Sequence, residues 1–76
     1  MNSVIILVTV EPTQDILVRD QLRKLNNITE AHLLYGPYDV YAKAEARTSE
    51  ELENLVFEEI RTIKGIKSTM TCFVAD

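Results

Sequence analysis

The sequence has few of the residues that cross-link small proteins or bind metal ions. It contains one cysteine, Cys72, one histidine, His32, and no tryptophan. A single cysteine cannot form a disulfide within the chain, and the spacing of these residues predicts no zinc site. We therefore expect no metal and no cofactor, and we expect Cys72 to be a small buried side chain in the last strand.

Long apolar runs and clusters of positive charge are also missing. The apolar stretch from Val4 to Val10 is too short to cross a membrane, and the residues before it contain no basic signal-peptide region. The eight lysines and arginines are scattered through a chain of net charge −4, which gives no basic patch for DNA or RNA. These features predict a cytoplasmic protein with no membrane partner and no direct nucleic-acid partner.

Glycine and proline are rare, at two residues each, and one of each lies near the middle of the chain. Gly36 can take a positive φ, and Pro37 fixes its own φ near about −65°, so the pair predicts a tight turn between two strands. Tyr35, Tyr38 and Asp39 surround this turn. Backbone freedom, aromatic side chains and a carboxylate therefore coincide at this point.

Hydrophobic periodicity predicts four strands and two helices in one domain, residues 1–76, in the order βαββαβ. The predicted strands are residues 4–10, 28–35, 39–47 and 66–74. The first helix is expected to begin at Pro12 and to end where Asn26 and Asn27 take a left-handed cap. The second begins with the capping box formed by Thr48 and Glu51, and it ends at Gly65.

The two halves of the chain repeat. The apolar residues of the first helix recur 38 positions later in the second, since 55 minus 17 gives 38. The matched residues are Leu17, Val18, Leu22 and Leu25 with Leu55, Val56, Ile60 and Ile63. Two βαβ halves with right-handed crossovers interleave into the α+β, ferredoxin-like fold, an antiparallel sheet of order 4-1-3-2 with both helices on one face.

This arrangement leaves the other face of the sheet bare. Val4, Ile6 and Val8 match the alanine face of the third strand and should point towards the helices. The residues expected on the bare face are Ile5, Leu7, Thr9 and Tyr41, with Leu33 or Leu34 beside them. A soluble monomer rarely exposes such an apolar patch, so we expect at least a homodimer, built sheet against sheet.

Three motifs resemble the effector-binding domain of the Lrp/AsnC regulators. They are Gly36-x-Tyr38-Asp39 followed by an apolar residue, the Gly65-Ile66 junction, and Ser68-Thr69-x-Thr71. The resemblance covers residues 4–74 and implies a module that dimerises through its sheets, often forms octamers, and binds amino acids or similar effectors at subunit interfaces. Members usually carry an N-terminal helix-turn-helix. Only three residues precede Val4, so we expect a stand-alone version for which DNA binding is not implied.

Carried over residue by residue, the resemblance implies a ligand-binding site. Its members are Gly36, Pro37, Tyr38, Asp39, Thr69 and Thr71. Asp39 would accept the ammonium group of an amino acid, and backbone N–H groups around Gly36 would meet the carboxylate. Each residue also has a structural alternative: a turn glycine, a carboxylate bonded to backbone N–H groups, and threonines that favour strands.

We expect a regulatory binding module and not an enzyme. His32 has no nucleophile at a readable spacing, and the glutamates of the second helix form a solvated face, so we assign no catalytic residue. Two other functions stay open: an adaptor that assembles with full-length Lrp/AsnC-type regulators, and a dimeric ferredoxin-like enzyme. The ACT module, another amino-acid-binding domain of this topology, is a further structural neighbour.

Overall fold

The computed structural model describes residues 1–76 as a four-stranded sheet with two helices. The strands are β1 (Asn2–Val10), β2 (Ile28–Leu33), β3 (Val40–Ala46) and β4 (Ile66–Phe73). The first helix is α1 (Asp15–Arg23). The second helix begins as α2 (Ser49–Asn54) and continues as a π-helical segment (Leu55–Glu59) and a 3-10 turn (Ile60–Thr62). Neither helix has the length and apolar character needed to cross a membrane.

The sheet is antiparallel throughout, with the order β2-β3-β1-β4. This is the predicted order 4-1-3-2 counted from the opposite edge, so the ferredoxin-like fold is confirmed. In the central register, Leu7 lies between Tyr41 on β3 and Met70 on β4. The next residue, Val8, lies between Val40 and Thr69. Because side chains alternate between faces, these two rows point to opposite sides of the sheet.

The core lies between the sheet and the helices, and all of its thirteen buried residues are apolar. Val4, Ile6 and Val8 are fully buried there, as predicted. Small side chains on β3 let the helices approach the sheet closely. The remaining buried residues are Val18, Leu22, Ala31, Val40, Ala42, Ala44, Ala46, Leu52, Leu55 and Ile60.

The start of the first helix was predicted wrongly. It begins at Asp15, because Thr13 has φ +70°, a left-handed conformation that no α-helical residue adopts. Pro12 therefore belongs to a turn, which the bond from Gln14 N to the Glu11 carbonyl closes at 3.0 Å. Leu17, predicted to face the core, is 49% exposed, since one helical step separates it from the buried Val18.

The end of that helix also differs from the prediction. Lys24 caps it in a right-handed conformation, and no asparagine has a positive φ. Asn27 instead joins β3: its side-chain amide and the Glu45 carbonyl lie 3.2 Å apart, and its own carbonyl accepts the Glu45 N–H at 3.0 Å. Thr48 caps the second helix as predicted, with its Oγ1 accepting the N–H of Glu51 at 3.2 Å. The Glu51 side chain does not return a bond to the Thr48 N–H, so only half of the predicted capping box forms.

Candidate functional site

Asp39 ties the turn between β2 and β3 to the end of β1. Its N–H donates to the Val8 carbonyl at 2.8 Å, and its carbonyl accepts the Leu34 N–H at 2.9 Å. Its carboxylate Oδ2 accepts the Val10 N–H at 2.9 Å and is partly buried. The side chain therefore fixes the local backbone, while Oδ1 remains available to a ligand.

The other residues of the turn present open backbone. Gly36 has φ +151°, and a Cβ built on it would meet no atom within 4 Å. Pro37 is exposed beside it, and both lie outside the strands, which end at Leu33 and resume at Val40. A ligand or a second chain can therefore approach this backbone closely.

Tyr38 extends from the same turn across the sheet. Its hydroxyl donates to the sulfur of Met70 at 3.5 Å, and Met70 lies on β4, beyond β1. Since Met70 is in register with Leu7, this contact places the Tyr38 side chain on the sheet face that the helices leave bare.

The two predicted threonines lie elsewhere. Thr69 and Thr71 are in register with Val8 and Ile6, so their side chains point to the helix side of β4. There they line an open groove between the second helix and β4, about 580 Å³ in volume, to which the residues of the turn do not contribute. Within one chain, the structure thus brings Gly36, Pro37, Tyr38 and Asp39 together at one place and the threonines at another.

This helix–β4 groove was not predicted from the sequence. Its polar lining consists of Arg61, Lys67, Ser68, Thr69 and Thr71. Its hydrophobic lining consists of Val56, Phe57, Ile60, Ile63, Ile66 and Phe73. Thr69, Thr71 and Phe73 occupy every second position of β4, and such residues share one face of a strand. This pattern could have predicted from the sequence that β4 presents hydroxyls and a phenyl ring on the same side.

The bare face of the sheet carries a second surface, the sheet patch, which we define by Ile5, Leu7, Tyr41, Met70 and Cys72. Register places all five on one face, with Leu7 at the centre and Met70 49% exposed. Met70 and Cys72 were missed in the sequence prediction of this face. Cys72 is exposed, contrary to the predicted burial, because it lies on the face of β4 that points away from the helices.

The margin of the sheet patch is polar and aromatic. His32 stacks on Tyr41 with ring centroids 6.4 Å apart, and its Nε2 lies 3.3 Å from Glu30 Oε1. Leu33, one of two alternatives for this face, is in register with Val40 and so lies on the helix side. Leu34, the other alternative, lies beyond the end of β2, where its N–H donates to the Asp39 carbonyl.

No group of three or more histidine, cysteine, aspartate or glutamate side chains is arranged to hold a metal ion. Every buried side-chain nitrogen and oxygen has a hydrogen-bond partner. The surfaces open to a ligand or partner include the exposed turn, the helix–β4 groove, the sheet patch and a smaller cleft of about 390 Å³ between α1 and the end of the second helix.

Comparison with known proteins gives one family. The sequence profile of the Lrp/AsnC ligand binding domain matches residues 3–76. An HTH-type transcriptional regulator of Pyrococcus furiosus is 35% identical over 54 residues, which are 71% of this chain and 36% of that regulator. A homocitrate synthase of Saccharolobus islandicus is 39% identical over 57 residues, 75% of this chain but 12% of the enzyme.

Among solved structures, Escherichia coli AsnC superposes with a TM-score of 0.88 at 25% identity, covering 99% of this chain and 51% of AsnC. The chain thus spans about a third to a half of the length of the regulators it matches.

Proposed function

The chain belongs to the Lrp/AsnC ligand-binding domain family, and we propose that it binds an amino acid or a similar small metabolite as its effector. Membership of that family makes it a regulatory effector-binding module. The observation that carries the proposal is the motif Gly36-x-Tyr38-Asp39, which forms an exposed turn with open backbone and an available carboxylate oxygen.

In the proposed site, the charged ends of the effector meet this turn. Asp39 Oδ1 accepts a hydrogen bond from the ammonium group of the effector, and the backbone N–H groups around Gly36 face the carboxylate of the effector. Within one chain, Thr69 and Thr71 line the helix–β4 groove, and no cavity includes Asp39. The effector site at the turn is therefore proposed to be enclosed by a neighbouring subunit. The proposed effector therefore binds between subunits and couples binding to assembly.

Assembly is proposed to use the sheet patch. Leu7 is flanked by Tyr41 and Met70, and both helices lie on the other face of the sheet. Within the chain, Tyr38 reaches this face at Met70. Pairing two such faces removes their apolar surface from water, at about 25 cal/mol for each Å². A homodimer is the simplest assembly that buries the patch, and octamers follow if dimers associate further.

An adaptor function uses the same surface. The sheet patch of this chain would pair with the corresponding patch of a full-length regulator, in place of a second copy. An enzyme is disfavoured, because enzymes of this fold type would need reactive groups between sheet and helices. Here that space holds thirteen buried residues, none of them polar.

A thermal-shift screen of the standard amino acids tests the proposal. An effector at a hundred times its dissociation constant should stabilise the folded chain by about 2.7 kcal/mol, and the shift should grow with effector concentration. Asp39→Asn, which keeps the side-chain shape, should reduce that shift, whereas Asp20→Asn on the exposed face of α1 should not. If no amino acid stabilises the protein, or if Asp39→Asn responds like the parent, the proposed site is wrong.

A further inference from the structure

The lining of the helix–β4 groove is positively charged, although the chain as a whole is acidic. The chain has twelve acidic and eight basic residues, yet the groove is lined by two cations, Arg61 and Lys67, and by no carboxylate. Neither cation belongs to any of the three ion pairs of the chain. Two positive charges without an ion-pair partner thus line this groove, as Lys24 and Lys64 line a smaller cleft between α1 and the end of the second helix, but only the helix–β4 groove adds aromatic rings.

Hydroxyl groups and aromatic rings complete this groove. Ser68 is already bonded to Thr9, but Thr69 and Thr71 present hydroxyls that can donate to an anion. Phe57 and Phe73 line the groove and are 53% and 45% exposed. Charged groups, hydroxyls and rings within one surface can accommodate both an anionic end and an apolar end of a ligand.

The position of the groove keeps it open in an assembly. The start of the second helix packs on β1 and β3, and it leaves the helix side of β4 uncovered. Thr71 and Phe73 point to this side, whereas the sheet patch lies on the opposite face. A partner bound to the sheet patch therefore does not fill the groove. At about 580 Å³, the groove is within the usual range for small-ligand sites, roughly 300–1,000 Å³.

We propose that the helix–β4 groove binds a monocarboxylate that has an apolar body and no ammonium group, such as a 2-oxo acid or an aryl carboxylate. Arg61, Lys67 and the hydroxyl of Thr71 hold the carboxylate, and Phe57 and Phe73 cover the apolar body. The groove is thus a second ligand site, which goes beyond the proposed amino-acid site at the turn and takes a different class of ligand.

The absence of a carboxylate in the lining separates this class from the amino acids. An ammonium group would lie beside Arg61 and Lys67, where like charges repel, and it would find hydroxyl oxygens as its strongest acceptors. Asp39, the carboxylate of the turn, does not line the groove. A molecule of the same shape without the ammonium group avoids this cost.

Three probes that share a phenyl body provide the test: phenylpyruvate, 3-phenylpropanoate and phenylalanine. In isothermal titration calorimetry on the full chain, both monocarboxylates should bind at least about tenfold more tightly than phenylalanine. This difference is about the free energy of one hydrogen bond to a charged group, which the ammonium group of phenylalanine gives up when it leaves water and finds no carboxylate in the groove. Their affinity should fall as salt is raised, because the cations are exposed to solvent.

Matched variants locate the site. Arg61→Gln and Lys67→Gln should each weaken 3-phenylpropanoate by about two- to fivefold, as expected for exposed charges, and the double variant by about tenfold or more. Arg47→Gln removes an exposed cation that lines no cavity and should leave the affinity unchanged. Thr71→Val should weaken binding while keeping the side-chain volume. Circular dichroism confirms that each variant is folded.

The outcomes separate this inference from the proposed function. Tighter binding of phenylalanine, or no binding of either monocarboxylate at millimolar concentration, overturns the monocarboxylate site. If an amino acid then binds and depends on Asp39, the proposed effector site at the turn still stands. If the monocarboxylates still bind with unchanged affinity in the Arg61→Gln and Lys67→Gln variants, the ligand lies elsewhere on the protein. This result also overturns the inference.

Discussion

Replacing Asp39 with alanine should lower the free energy of unfolding by about 1–3 kcal/mol, because the half-buried Val10 N–H loses the carboxylate to which it donates. The Asp39 N–H and carbonyl keep their bonds to Val8 and Leu34, so the turn itself should still form. Asp39→Asn retains an acceptor oxygen, but a neutral one, and should lose about 1 kcal/mol.

Urea unfolding followed by circular dichroism measures these losses, at one protein concentration because assembly contributes to stability. Asp20→Ala is the matched control, since this exposed carboxylate bonds only to its partly buried neighbour Arg19 and should contribute less than about 1 kcal/mol. If the Asp39→Ala protein is as stable as the Asp20→Ala protein, the bond from Val10 to Asp39 does not contribute to stability and the reasoning is wrong.

The same variants separate the two functions of this carboxylate. If Asp39 also binds the effector, Asp39→Asn should weaken amino-acid binding by about 1.5–3 kcal/mol, more than it destabilises the fold. Equal affinity in a folded, oligomeric Asp39→Asn protein would make Asp39 a turn residue alone.

Three further outcomes are expected. Gly65→Ala should destabilise the protein by about 1–3 kcal/mol more than Gly36→Ala. A Cβ at Gly65 would lie 3.1 Å from Gln14 Cβ and 3.2 Å from Val18 Cγ2, whereas a Cβ at Gly36 would meet no atom within 4 Å. Equal losses of stability in urea unfolding would contradict this reasoning. Thr13→Gly should raise the unfolding free energy by about 0.5–1 kcal/mol by relieving the left-handed φ of +70°, and a loss would show that the threonine is not strained. Duplex DNA should not shift in a gel at physiological salt with this chain of net charge −4; tight binding would show that the module reads DNA itself.

The strands and their order could be predicted because their signals are local and repeated. Alternation in β3 places Ala42 and Ala44 on one face, and the same face of β1 carries Val4 and Ile6. Two such halves admit few topologies, so the fold followed from residue patterns. The start of α1 could not be predicted in this way. Thr13 adopts a left-handed conformation, so the helix begins after it and not at Pro12. A threonine in the sequence does not predict this conformation, because β-branched residues rarely adopt it.

The candidate site was predictable in part. Gly36 and Asp39 predict a turn, because glycine and aspartate favour turns. The motif Gly36-x-Tyr38-Asp39 also links these residues to the ligand-binding site of the family. The separation of Thr69 and Thr71 from that turn depends on register across β1, which one strand alone does not reveal. The helix–β4 groove depends on where the second helix stops covering the sheet, a tertiary feature without a local signal.

The mass of the protein in solution tests the central claim most directly. The account predicts a multiple of two chains of 8.7 kDa by light scattering after size exclusion, since the sheet patch must be covered. Leu7→Lys should shift the mass towards the monomer or unfold the chain, because it places an ammonium group in the apolar interface. Lys24→Ala, at the exposed C-terminal cap of α1, should keep the parent mass. A parent protein that is monomeric at micromolar concentration would contradict assembly through the sheet, and with it an effector site between subunits.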